Sequence, residues 1–153
     1  MDIFKFAEEV KEKAKLILQQ DGYHCPLIMC LTPAGQNIIP LTISSEEEKM
    51  KTLAAIKKLM EKENVWAYIT ITEGWMVTGK GSKPIDLSIR PSEAPDSVKI
   101  LMVSVVTGKR IKTWSIPVKN EKGKITFGKE KIMDTQNGSQ VGGLFMGLLP
   151  ELH

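Results

Sequence analysis

The stretch "VWAYITITEGWMV", residues 65–77, decides how this chain is read. It alternates with period two, so Val65, Ala67, Ile69 and Ile71 share one face while Trp66, Tyr68, Thr70 and Thr72 share the other. That pattern predicts a strand with one firmly apolar face. The next regular run, "VKILMVSVV" (98–106), is nearly continuously apolar, as expected of a central strand covered on both sides. "TGKR" turns this run into "IKTWSIPV" (111–118), and "NEKG" turns that into "KITFG" (124–128). Short polar, glycine-containing connections between β-rich arms are hairpin signals, so the second half of the chain reads as an antiparallel meander.

Working outward toward the N-terminus, residues 2–20 predict an amphipathic helix. Ile3, Ala7, Val10, Ala14 and Ile17 recur at helical spacing, Asp2 is the candidate cap, and Asp21-Gly22 is the stop. "LIMCLT" (27–32) and "NIIPLTI" (37–43), joined by "PAGQ", predict a hairpin whose second arm has an edge, bulge or early end at Pro40. A second helix follows in "SSEEEKMKTLAAIKKLMEKEN", with Ser45 and Glu48 as a capping box. Leu53, Ile56 and Met60 form its expected core stripe, flanked by Met50 and Leu59.

These elements predict an α+β fold: a single domain with two helices and a largely antiparallel sheet of five or six strands, in the order α-β-β-α-β-β-β-β. The helices are expected against one face of the sheet. Residues 1–133 form the expected domain, and residues 134–153 an appended tail, glycine-rich and then apolar. The segment "LFMGLLPEL" within that tail could dock a partner or pack on the chain's own core.

The chain has 153 residues, 42% of them hydrophobic and 25% charged, enough for a real core and unlike a disordered polymer. No apolar run approaches the ~20 residues that span a bilayer, and no signal-peptide pattern opens the chain. The expectation is a soluble, cytoplasmic protein with no membrane partner. Charge is unevenly placed. Residues 97–131 hold nine Lys and Arg against Glu121 and Glu130, giving that stretch +7 and leaving −4 on the rest of a chain whose net charge is +3. Such a basic region suits an acidic macromolecular partner, or serves as solvated edge-strand lysines that oppose aggregation. Lys112, Trp114 and Phe127 give it the composition of a nucleic-acid surface.

Candidate chemistry concentrates between residues 73 and 96. Glu73 falls on the apolar row of its strand, where a carboxylate needs a cation or donors or takes up a proton, unless a bulge or strand end at Glu73-Gly74 turns it to solvent. Only Arg90 and Arg110 are arginines among 21 basic residues, so Arg90 suggests a need for the planar guanidinium fork and is the candidate partner of Glu73. In "SIRPSEAPDS" (88–97), Pro91 and Pro95 stiffen a loop that presents Ser92, Glu93 and Asp96. With Trp75, these groups form the candidate binding set: Glu73, Trp75, Arg90, Ser92, Glu93 and Asp96. Catalytic residues are not specified, and neither is a cofactor. "GKGSK" (79–83) lacks P-loop spacing. His24, Cys25, Cys30 and His153 lack the convergence of a zinc site, so no metal is expected.

"TEGWMV" and "IRPSEAPDSVKILMV" together resemble a family of small uncharacterised bacterial, archaeal and phage proteins with an E-x-W then R-P-S-E-x-P-D pattern. Glu73, Trp75, Arg90, Pro91, Ser92, Glu93, Pro95 and Asp96 match that pattern. The resemblance covers roughly residues 65–105. Ser97 stands where the pattern continues with an arginine, which weakens a charge-pair role for the loop. The resemblance implies positions and no activity. The sequence therefore leads to a non-catalytic binding or interaction module, with a homo-oligomer as a candidate assembly. The alternative is an enzyme or a small-ligand or metal binder using the acidic and arginine cluster of residues 73–96.

Overall fold

The computed structural model describes residues 2–41, 45–77 and 97–136. Helix α1 (Ile3–Asp21) is followed by strands β1 (Leu27–Thr32) and β2 (Gly35–Pro40), helix α2 (Glu46–Lys62), and strands β3 (Ala67–Val77), β4 (Ser97–Thr107), β5 (Arg110–Glu121), β6 (Lys124–Phe127) and β7 (Lys131–Gln136). The strands form one antiparallel sheet in the order β2-β1-β3-β4-β5-β6, with β7 also pairing to β5. The α+β class, the two helices and the antiparallel meander are as the sequence predicts. Among the described residues the sheet has seven strands rather than five or six, because β7 adds pairing beyond residue 133.

β5 accommodates two partners on one edge. β7 pairs with its residues 110–115 and β6 with residues 118–121. The handover falls around Pro117, which has no N–H to offer an edge neighbour. Its carbonyl instead accepts from the Gly128 N–H at 2.9 Å. A β-carbon on Gly128 would stand 3.1 Å from Cβ of Pro117, so glycine permits this approach.

Both helices have identifiable ends. Asp2 accepts from the backbone N–H groups of Phe4 and Lys5, and Gly22 closes α1 in the left-handed region at φ 81°. Ser45 accepts from the Glu48 N–H. Asn64 is left-handed at φ 54°, and the Val65 N–H reaches back to the Met60 carbonyl, a Schellman closure of α2. The β5–β6 turn places Lys122 and Gly123 at φ 52° and 85°, the pair of left-handed residues a tight two-residue hairpin needs.

The helices lie on opposite faces of the sheet, not on one. On the first face α1 packs Ile3, Ala7, Val10, Ala14 and Leu18 against Ile69 and Ile71 of β3, Leu101, Val103 and Val105 of β4, and Trp114 and Ile116 of β5. On the second, α2 packs Ile56 and Met60 against Ile28 and Cys30 of β1, Tyr68 of β3 and Val106 of β4. The pleat explains this, because β3 and β4 carry apolar residues on both rows and each row needs its own cover. Each fully buried aliphatic side chain contributes roughly 1.5–3 kcal/mol relative to exposure. Beside the α2 contact, the second face becomes polar: Ser104 and Thr113, opposite each other across β4 and β5, share a buried hydroxyl hydrogen bond of 2.9 Å.

Two helix positions differ from the expected stripes. Leu18 takes the core place expected of Ile17, which is exposed, and Met50 of α2 is exposed rather than flanking the core. Lys11 also joins the buried stripe of α1, with only 8% of its surface exposed. Its ammonium lies 2.9 Å from Glu130 Oε2 and 5.4 Å from the Trp114 ring centroid. A buried cation is tolerated there because a carboxylate and an aromatic face both meet it.

Candidate functional site

β3 and β4 pair so that Trp75 lies opposite Lys99 and Glu73 opposite Leu101. Glu73 and Lys99 are therefore diagonal neighbours on the face that α1 covers. The Glu73 side chain is 17% exposed, and its Oε1 lies 3.3 Å from Lys99 Nζ. That oxygen is sealed from solvent and, among the described residues, has no hydrogen-bond donor, so the contact with Lys99 is electrostatic. Glu73 thus stays on the apolar row and has a cation beside it, and that cation is a lysine two residues into β4. Sequence reasoning passed over Lys99, although an antiparallel connection returning beside β3 would place some residue of the apolar run next to Glu73.

Trp75 stands on the same row, 45% exposed. With Lys99 it lines a cavity of about 540 Å³ whose floor is Val118 and Ile125 and whose rim includes Asn120 and the α1 terminus at Gly22. Gln19 donates to the Ile125 carbonyl at 3.2 Å, which holds the last turn of α1 against β6 beside this cavity. Glu73 and Trp75 are thus brought together. Arg90, Ser92, Glu93 and Asp96 lie outside the described residues, as does the "GKGSK" loop.

The other arginine is placed, and it makes the fork contact sought for Arg90. Arg110 donates from Nε and Nη2 to the two carboxylate oxygens of Asp134 at 2.8 and 2.6 Å, and its guanidinium stacks 4.1 Å from the Phe4 ring centroid. Hydrogen bonding to Arg110 holds the Asp134 carboxyl below its ordinary range, and the same bond raises Arg110.

Six of the nine bases of residues 97–131 divide by the pleat, and Lys109, Lys122 and Lys129 sit exposed in the connections between strands. Facing α1 are Lys99, beside Glu73; Arg110, clamped to Asp134; and Lys112, with Glu8 Oε1 at 4.0 Å and the Trp114 ring centroid at 5.0 Å. Facing the other way are Lys119, Lys124 and Lys131, by their register opposite Thr126, Glu121 and Ser115. These three are exposed and form no ion pair among the described residues. Thr126 and Met133 are exposed on the same surface.

The remaining candidates have structural partners. His24 is buried with its ring nitrogen 2.8 Å from the Cys25 carbonyl, and the Cys25 thiol donates to the Pro26 carbonyl. Cys30 is buried, and burial pushes its thiol up to about 11. Among the described residues no group of His, Cys, Asp and Glu could hold a metal, and no helix is long and apolar enough to cross a membrane. No family model matches the chain, and no curated protein or solved structure matches it either.

Proposed function

We propose that this protein is a non-catalytic binding module for an acidic macromolecule, which it engages through the sheet face opposite α1, on the β5–β6–β7 side. The observation that carries the reading is the division of charge by the pleat. Lys99, Arg110 and Lys112 are neutralised against α1-face acids, whereas Lys119, Lys124 and Lys131 share the opposite face without an ion pair among the described residues. Lysine ammonium groups on a firm sheet act as solvated point charges, suited to a partner's phosphates or carboxylates without fixed geometry.

The test separates position from charge. Lys119, Lys124 and Lys131 are changed together to Gln, and a control changes the exposed Lys13, Lys57 and Lys58 on the helices, with the same loss of charge. Binding to a fluorescent DNA duplex and to polyglutamate is followed by anisotropy across salt concentrations. The sheet-face variant should weaken polyanion binding roughly 10-fold or more and flatten the salt dependence, while the control stays within about 2-fold. Equal losses from both variants would leave net charge as the cause and remove the reading.

A second reading rests on the Trp75 cavity, where an exposed ring, an apolar floor and the Glu73–Lys99 pair could hold a small ligand. A ligand screen by thermal shift checks it, since a ligand of this site should stabilise wild type and not Trp75→Ala. In that case the residue 73–96 cluster, with the E-x-W and R-P-S-E-x-P-D positions, would belong to a ligand site.

A further inference from the structure

The solvated lysines stand in a fixed order along β5. β6 and β7 lie against one edge of that strand, so the register gives each residue its level. Met133 is opposite Thr113 and Lys131 opposite Ser115; Lys119 is on β5 itself, and Lys124 is opposite Glu121. All four share the sheet face away from α1. At about 3.3 Å per residue, the steps along β5 are about 7 Å from Met133 to Lys131, about 13 Å on to Lys119 and about 7 Å on to Lys124. The sideways offset is one strand spacing, about 4.8 Å, which a lysine side chain spans. Pro117, at the level between Lys131 and Lys119, carries no charge. The line ends in a concavity of about 600 Å³ lined by Glu121, Lys122, Lys124 and Thr126.

Resting on the reading of this face as the site for an acidic macromolecule, we infer that the partner is an extended acidic peptide laid along β5. An extended chain turns alternate side chains to one side about every 6.7 Å, so the line matches steps of two, four and two residues. The matching motif is apolar-x-acid-x-x-x-acid-x-acid, in either chain direction. Its apolar residue covers Met133, which is 58% exposed. Its last carboxylate enters the concavity, where the Thr126 hydroxyl is a donor and Lys122 adds a cation that outweighs Glu121.

The chemistry of the face favours a peptide over nucleic acid. The arginine among the described residues, Arg110, is clamped to Asp134 on the α1 face, so no guanidinium fork stands among these lysines to grip phosphate. Among the described residues the exposed side chains beside the lysines are Met133 and Thr126, not the aromatic rings on which single-stranded bases stack. A phosphate backbone would also set charges over Met133 and Pro117, where a peptide presents neutral side chains. The parts of the chain outside the described residues lack the motif. Residues 137–153 contain one acid, Glu151, and the acids of residues 78–96, Asp86, Glu93 and Asp96, are spaced seven and three apart rather than four and two.

The experiment uses the full chain and labelled nine-residue peptides with blocked ends, read by anisotropy. The matched peptide has leucine first, glutamate third, seventh and ninth, and serine elsewhere. Its reverse is measured beside it, and the tighter binder of the two is carried forward. The control moves the middle glutamate by one place, to the other side of an extended chain, at equal charge. The matched peptide should bind about 5-fold tighter than the control or better. Lys119→Glu should weaken the matched peptide roughly 10-fold or more with unchanged far-ultraviolet circular dichroism, and lysine in place of the middle glutamate should recover most of that loss on this variant. Equal binding of matched and shifted peptides overturns the inference, as does a charge swap that recovers nothing. So does an oligothymidylate of equal charge that binds tighter than the matched peptide. Those results leave the acidic-partner reading standing where Gln at Lys119, Lys124 and Lys131 still abolishes polyglutamate binding. A triple variant that binds polyglutamate as wild type does removes that reading and this inference together.

Discussion

Replacing Glu130 by Gln tests whether the Lys11 cluster holds α1 to the far end of the chain through charge. Lys11 Nζ and Glu130 Oε2 are 2.9 Å apart, with side-chain exposures of 10% and 25%. At that separation two unit charges attract by about 6 kcal/mol at an effective dielectric of ~20 and about 1.4 kcal/mol in bulk water. Most of the larger figure is offset by the desolvation of an ammonium that α1 buries in its core stripe. Glu130→Gln leaves that ammonium with a weaker neutral acceptor, the Trp114 ring and the more exposed Glu12 carboxylate at 3.7 Å, and should cost about 1–3 kcal/mol. Lys11→Met keeps the alkyl packing against Trp114 and leaves Glu130 with Lys15 Nζ at 3.8 Å, so it should cost about 1–2 kcal/mol. The double variant has no buried unpaired charge and should cost less than the two single effects together, with a coupling of about 1–3 kcal/mol. Urea unfolding of the four proteins, followed by far-ultraviolet circular dichroism, gives the cycle. Additivity within about 0.5 kcal/mol would refute the reasoning, because the two groups would then not sense each other's charge.

The Arg110–Asp134 clamp makes a pH-dependent prediction. Asp134 has a lowered folded-state pKa, so its contribution is present above the ordinary aspartate value of 3.8 and is lost as pH falls through the lower folded value. The stability difference between wild type and Asp134→Asn should therefore shrink as pH falls below about 4, as urea unfolding would show; a constant difference to pH 2 would contradict it. Cys30 acts in the opposite range. Its folded thiol titrates near 11 and its ordinary value is 9.0, so the unfolded chain loses the proton first and stability falls as pH rises between them. The stability advantage of wild type over Cys30→Ala should narrow across that window, and at pH 8 alkylation followed by mass spectrometry should modify Cys25 well before Cys30.

What the sequence made legible depended on how local its causes were. The alternation of residues 65–77 revealed β3 because side-chain period follows from strand geometry alone. The capping residues Asp2, Ser45 and Gly22 were readable because each acts within three or four residues of itself. The core role of Lys11 was not readable, since Glu130, which permits it, is 119 residues away. Ile17 and Leu18 both fit helical spacing after Ala14, and only the position of the sheet decides for Leu18. β7 escaped notice because adjacent Ile132 and Met133 lack alternation, and because its place depends on β5 sharing one edge between two strands around Pro117. The fork contact expected of Arg90 falls outside the described residues; Arg110, for which none was expected, makes one with Asp134, in the stretch that composition assigned to the tail. At the candidate site the pleat explained Glu73 and Trp75, while the neighbour Lys99 required the β3–β4 register.

The charge of residues 97–131 shows what a linear count omits. Nine basic residues against two acids describe a uniformly basic segment, but strand geometry sends alternate residues to opposite environments. Toward α1, bases meet Glu8, Glu73 and Asp134, all outside the basic segment, and there they strengthen the docking of helix, strands and chain end. Away from α1, Lys119 and Lys131 face solvent opposite the hydroxyl residues Thr126 and Ser115, and Lys124 lies opposite Glu121 without an ion pair among the described residues. Partnered charges on one face and solvated charges on the other call for different perturbations. Substituting Lys99, Arg110 or Lys112 also breaks an intramolecular ion pair, so a loss of binding from those variants does not by itself assign them a partner. Substituting the three lysines of the opposite face changes the surface with little structural cost, and only that experiment can assign the basic stretch a recognition role.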